Sequence, residues 1–100
     1  MNLFQKERIV DLVVKNHGPK YQNVGLFAKY VIKQFEKTNK TKLIFNYKKV
    51  FKTLGLSDYF ENEFDSSFFV AAAVITLNQI GFTFSSQKAN KQMIISKRDI

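Results

Sequence analysis

The chain has 100 residues, no cysteine, and sixteen lysine and arginine residues against eight acidic ones, which gives a formal net charge of +8. This length and a hydrophobic content of 45% predict one packed domain over residues 1–100 rather than a disordered basic tail. Without cysteine there can be no disulfide framework or thiolate nucleophile. The longest apolar run, Phe68 to Ile75, is too short to cross a bilayer, and the N-terminal residues do not form a secretory signal. We therefore expect a cytoplasmic protein.

The positive charge is unevenly distributed. Ten lysines and a single acidic residue, Glu36, lie between Lys15 and Lys52, whereas half of all the acidic residues fall between Asp58 and Asp65. A strongly positive region attracts polyanions, so nucleic acid is the first partner to consider. Because lysine suits phosphate contacts better than bidentate recognition of base edges, the composition favours sequence-tolerant binding.

Two amphipathic helices are predicted in the first half of the chain. The first covers Leu3 to Asn16 and ends before Gly18-Pro19. The second covers about Asn23 to Thr38 and presents a row of lysines on the side opposite its apolar arc. That row consists of Lys29, Lys33 and Lys37.

Two further helices and a hairpin follow. A third helix is predicted from about Lys42 to Leu54, with Gly55 as its C-terminal cap and an outward row of Lys48, Lys49 and Lys52. The fourth, Ser67 to Ile80, has almost no polar face, so we expect it to be central and surrounded by protein. Two β-prone runs, Phe82 to Gln87 and Gln92 to Lys97, flank a polar turn and predict a hairpin. The predicted fold class is mainly α with a C-terminal two-stranded β-hairpin.

Helices that close on a hairpin with a basic turn give an arrangement that resembles the winged helix-turn-helix family of DNA-binding domains, over about residues 42–98. The stretch from Val50 to Ser57 is similar to the first helix and turn of a helix-turn-helix. The stretch from Leu77 to Phe84 is similar to a recognition helix that passes through Gly81 into the first wing strand.

The resemblance implies a DNA-binding role, such as that of a small transcriptional regulator, with Lys88, Asn90 and Lys91 at the tip of the wing. The fourth helix offers no basic side chain, so we expect contacts from the wing and the lysine rows, which would position a duplex through its phosphates. Duplex DNA is preferred over RNA. The predicted contributors are Lys48, Lys49, Lys52, Lys88, Asn90 and Lys91, with Lys29, Lys33 and Lys37 as a second candidate surface.

Other interpretations stay open. Each lysine row can simply solvate an amphipathic helix. Aromatic side chains could instead stack on single-stranded bases, either Phe82 and Phe84 of the hairpin or Tyr21 and Tyr30, which lie outside the predicted core arcs. A homodimer could cover the apolar fourth helix. The principal rival is a protein-interaction module, or a small subunit of a larger assembly, that docks through an aromatic and acidic surface around Tyr59, Phe60 and Phe64.

No pattern of catalytic residues is found. His17 is the only histidine and has neither a second histidine for a metal site nor a nucleophile at a recognisable spacing. A histidine at the end of a helix is commonly placed there for the helix dipole. We therefore expect a non-enzymatic protein with no metal and no cofactor.

Overall fold

A computed structural model describes residues 2–56, 63–87 and 91–98, with side chains at all of these except 63–67 and 87. The first half is helical: α1 (Leu3–His17), a short 3-10 helix (Pro19–Tyr21) and α2 (Gln22–Glu36). Strand β1 (Lys42–Asn46) leads directly into α3 (Tyr47–Thr53). Helix α4 (Glu63–Gln79), strand β2 (Phe82–Gln87) and strand β3 (Gln92–Lys97) complete the described chain.

The sheet has three antiparallel strands in the order β1-β3-β2, rather than the two predicted. The hairpin itself is confirmed, since β2 and β3 have the predicted bounds and pair with Phe84 opposite Ile95. The additional strand, β1, pairs along the other edge of β3 with Leu43 opposite Ile95. The mainly helical class with a terminal hairpin is therefore correct, and the two-stranded sheet is wrong.

The predicted third helix from Lys42 to Leu54 is the source of this error. Its first five residues form β1, and the helix begins only at Tyr47. β-branched and aromatic side chains at 44 and 45 suit a strand. Asn46 then caps α3 by accepting a hydrogen bond from the Lys49 amide at 3.2 Å. Pairing with β3, which lies about fifty residues further along the chain, decides between strand and helix.

The core lies between the helices and the inner face of the sheet. The Phe27 ring of α2 is at its centre, with ring centroids 6.4 Å from Phe51 of α3, 5.2 Å from Phe69 of α4 and 6.1 Å from Phe84 of β2. One aromatic side chain thus joins three elements that are distant in sequence. Other fully buried members of the core are Val10, Val24, Val31, Ile32, Leu77, Ile80, Met93 and Ile95.

Helix α4 is less enclosed than predicted. It begins at Glu63 rather than Ser67, and it packs against α2 and β2. On the side of α4 that faces away from α2 and β2, Ala71 is exposed and 46% of the Ile75 surface is accessible to solvent. The expectation that protein surrounds this helix is therefore wrong. Gly81, with φ +87°, then turns the chain into β2, as predicted.

Candidate nucleic-acid interface

The start of α3 and the start of β3 meet at one end of the sheet. The Tyr47 amide, at the first position of α3, donates a hydrogen bond to the Lys91 carbonyl at 3.0 Å. In the register of the sheet, Asn46 lies opposite Gln92. The first turn of α3 is therefore held against the residue that leads out of the hairpin connection.

The lysines of α3 project away from the core. Tyr47, Val50 and Phe51 are buried, which leaves the other face of this short helix to solvent. Lys48, Lys49 and Lys52 are all exposed on that face. Lys91 is exposed as well. None of these four ammonium groups forms an ion pair with a carboxylate among the described residues.

Lys91 has a left-handed backbone conformation, with φ +53°. Glycine adopts this conformation without strain, whereas a residue with a Cβ carries a cost of about 1–3 kcal/mol. The fold therefore keeps a lysine at a position where backbone energetics favour glycine. Lys88 and Asn90, the other predicted residues of the wing tip, lie outside the described residues.

A tyrosine fixes α3 to the hairpin. The Tyr47 hydroxyl is hydrogen-bonded to the Ser86 hydroxyl of β2, and its ring stacks on Phe51 at 6.3 Å between centroids. Burial raises the pKa of the Tyr47 phenol above its ordinary value of 10.0, and the Ser86 hydrogen bond partly offsets this increase. The phenol is therefore neutral at physiological pH. The contacts to Ser86 of β2 and to Lys91 just before β3 give the α3 lysines a defined position beside Lys91. We call Lys48, Lys49, Lys52 and Lys91 the tip cluster.

The second candidate row, on α2, does not join this cluster. Lys29 is half-exposed, and its ammonium group lies 2.7 Å from the Asp11 carboxylate of α1. Lys33 and Lys37 are exposed. They lie in the C-terminal part of α2 or just after it, where Phe35 packs on Phe82 at the beginning of β2. That is the end of the sheet opposite the tip cluster, so the two rows form separate surfaces.

The aromatic residues considered for base stacking serve the core instead. Phe82 is buried and Phe84 half-buried, because both face the helices. Tyr21 is buried and stacks on His17, and the half-buried Tyr30 packs against Phe45 with ring centroids 6.0 Å apart. The idea that these two tyrosines lie outside the core is wrong. Among the described residues, the outward side of the sheet carries no aromatic ring.

The remaining predicted features are distributed as follows. Tyr59 and Phe60, at the centre of the rival docking surface, lie outside the described residues, and the side chain of Phe64 is likewise not described. His17 donates from Nδ1 to the Val13 carbonyl at 2.8 Å, which is a local contact at the end of α1. In the described ranges, no group of three or more metal-ligating side chains is present, and no helix has the length and apolar character needed to cross a membrane.

The sequence interpretation also missed functional candidates. Lys6, Lys97 and Arg98 converge on a surface cleft at the end of the sheet opposite the tip cluster. They are distant in sequence, and no local pattern links the first turn of a helix to the last residues of a strand. Comparisons of the chain with protein-family models, with curated proteins and with solved structures found no match.

Proposed function

We propose that this protein binds nucleic acid, with duplex DNA preferred, through lysine–phosphate contacts from the tip cluster. The observation that carries the proposal is the Tyr47–Lys91 backbone hydrogen bond, since it places the first turn of α3 beside the hairpin. Three ammonium groups on α3 and one at the hairpin then share one end of the molecule without acidic partners among the described residues. A helix pair followed by a hairpin supports a winged-helix-like assignment, and a small transcriptional regulator is the role we propose.

The strained backbone at Lys91 supports the same proposal. A residue that remains in an unfavourable conformation is a reasonable sign of function when its side chain is exposed to solvent. Lys91 meets that description, because it is exposed and has φ +53°. A phosphate contact at the hairpin tip would explain why lysine occupies this position.

Duplex binding is favoured over single-strand binding. Proteins that hold single strands usually stack bases on aromatic rings beside a basic groove. Phe82 and Phe84 face the core, and the described part of the outward side of the sheet has no aromatic ring. Phosphate contacts to a duplex need no such rings.

The contacts we propose position a duplex rather than read its sequence. The outward side of α4 presents Ala71, Ile75, Asn78 and Gln79, none of which is charged. The amides of Asn78 and Gln79 lie at the last turn of the helix, and phosphate contacts alone carry no sequence information. Weak sequence preference is therefore expected.

Salt dependence of duplex binding tests the proposal. If the four lysines of the tip cluster and Lys88 of the predicted wing each neutralise one phosphate, about five in all, the slope of log affinity against log salt is about −4.5. Affinity then falls about 500-fold between roughly 50 and 200 mM salt. Fluorescence anisotropy with a labelled duplex measures this slope, and the matched single strand and an RNA duplex provide comparison. A flat salt response would refute the proposal and favour the protein-docking alternative.

Charge-neutralising variants locate the contacts. Lys49→Gln and Lys91→Gln should each reduce the magnitude of the slope by about 0.9 and weaken binding to all sequences alike. Lys15→Gln is the matched control, because Lys15 is also exposed but lies on α1, which packs mainly against α2. If the control weakens binding as much as the two test variants, the tip cluster is not the binding surface.

A further inference from the structure

A second basic site lies at the end of the sheet opposite the tip cluster. It is a surface cleft of about 280 Å³ between α1, the α4–β2 turn and the end of β3. Its lining includes Lys6, Lys97 and Arg98, together with Asn78 and Gly81 of the turn. Since the chain advances about 3.3 Å per residue in a strand, roughly 20 Å separates Lys97 from Lys91. The cleft is thus distinct from the proposed nucleic-acid surface.

Two of the cations are held in place by aromatic rings. The Lys6 ammonium group lies 5.0 Å from the centroid of the Phe82 ring, and that of Lys97 lies 5.6 Å from the centroid of Phe35. The two rings contact each other, with centroids 4.8 Å apart, and both are buried. Cation–π contacts of this kind attract the ammonium group to the ring face. The pair of rings therefore orders two lysines from opposite ends of the chain around one cleft.

The third cation is anchored by the turn after α4. The Arg98 amide donates to the Gly81 carbonyl at 2.9 Å, and the Arg98 guanidinium donates through one nitrogen to the Asn78 carbonyl at 3.2 Å. A guanidinium group has five N–H donors, so most of them remain available for a ligand. Arg98 can therefore stabilise the end of α4 and also contact a molecule in the cleft.

The described part of the cleft has an excess of positive charge. Among the described residues that line it none is acidic, and the ion pair between Lys29 and Asp11 involves other parts of the described chain. The C-terminus of α4 contributes only about half a unit of negative charge, against three full positive charges. Holding three like charges together is unfavourable unless an anion joins them. We infer that this cleft binds a phosphate monoester group, as part of a small phosphorylated ligand.

The chemistry and the size of the cleft define this ligand class. A guanidinium fork with two flanking ammonium groups matches the two negative charges and three terminal oxygens of a monoester. The volume, about 280 Å³, is just below the usual range for ligand pockets of about 300–1,000 Å³, and it suits a phosphate with a few attached atoms better than a dinucleotide. The amides of Asn78 and Gln79 can hydrogen-bond with hydroxyl groups on the remainder of such a molecule.

Nuclear magnetic resonance of the isotope-labelled full chain provides the test. Inorganic phosphate and glycerol phosphate are titrated separately at constant ionic strength, with acetate and dimethyl phosphate as the monocarboxylate and diester comparisons. We expect saturable shifts of the Gly81, Lys97 and Arg98 amides with the two phosphate probes, and much weaker effects with the comparisons. Shifts that never saturate and spread over all lysine-bearing segments would show only a diffuse ion atmosphere and would overturn the inference.

Substitutions separate this site from the tip cluster. Lys6→Gln should weaken phosphate binding about tenfold or more, since one charged hydrogen-bond partner is removed, and Lys6→Arg should restore most of it. Lys49→Gln should leave phosphate binding unchanged. Lys6 is used because Arg98→Gln also removes a contact at the end of α4 and could unfold the chain. If Lys6→Gln does not change phosphate binding, or if it weakens duplex binding as strongly as Lys49→Gln does, the inference is wrong.

Discussion

The packing of α1 against α2 depends on a glycine near the N-terminal end of α2. Gly25 is buried in α2, and a Cβ at this position would lie 2.7 Å from Cγ2 of Val14 on α1. Ordinary contacts of this type are 3.4–4 Å, so one of the two helices would have to shift. The Val14 side chain cannot easily turn aside, because a β-branched residue in a helix strongly prefers one rotamer.

The expected cost of Gly25→Ala follows from two opposing effects. Alanine is favoured over glycine in a helix by up to about 1 kcal/mol, whereas overpacking of this kind costs about 1–3 kcal/mol. We therefore expect a net loss of about 1 kcal/mol in the free energy of unfolding, which corresponds to roughly 4–8 °C in Tm for a domain of this size. Urea denaturation, monitored by far-ultraviolet circular dichroism, measures this loss in the free energy of unfolding.

A double-mutant cycle isolates the clash. Val14→Ala removes both γ-methyl groups and leaves the Val14 Cβ 3.9 Å from the new methyl, which is an ordinary contact. In that background Gly25→Ala should stabilise the protein by about 0.5–1 kcal/mol, because only its helix preference remains. The sign of the effect thus reverses between the two backgrounds. An equal effect of Gly25→Ala in both backgrounds would refute the reasoning.

Two further predictions concern α3 and α4. Tyr47→Phe should reduce stability by about 0.5–1.5 kcal/mol at neutral pH, because the Ser86 hydroxyl loses its partner. Because the pKa of Tyr47 is higher in the folded than in the unfolded protein, its contribution to stability is fully present below pH 10, the pKa in the unfolded chain. That contribution is lost as the pH rises through the pKa of the folded protein. The difference in the free energy of unfolding between wild type and Tyr47→Phe should therefore narrow above pH 10. A difference that stays constant in urea denaturation across this range would contradict the prediction. We also propose that the outer side of α4, which is uncharged over residues 71–79, supports a homodimer. Ile75→Lys should then abolish self-association in sedimentation equilibrium, whereas the control Leu12→Lys, at a similarly exposed position on α1, should not. A monomeric wild-type protein would refute this proposal.

The hairpin shows which parts of the fold could be predicted from local patterns. Phe82 to Gln87 and Gln92 to Lys97 are β-prone runs with a polar turn between them, and both strands form with those bounds. Gly55 and Gly81 both adopt positive φ just after the helices that they were expected to end. These features depend on residues close in sequence, so a single pass along the chain is enough to find them.

The candidate sites depended much more on tertiary structure. Lys48, Lys49 and Lys91 were each proposed from the sequence, but only the β1–β3 pairing and the Tyr47–Lys91 hydrogen bond bring them to one place. The same pairing turned residues 42–46 from a predicted helix into a strand. At the other end of the sheet, Lys6 and Arg98 share a cleft although they are more than ninety residues apart.

Composition and spacing by themselves determined the excess of lysine, the class of partner to consider and most of the helices and strands, because charge and local backbone preference are properties of neighbouring residues. Only the tertiary structure decided which lysines lie together, which aromatic rings are buried and which face of α4 is open. These outcomes follow from contacts between distant segments, whose free energy appears only when the core around Phe27 is assembled.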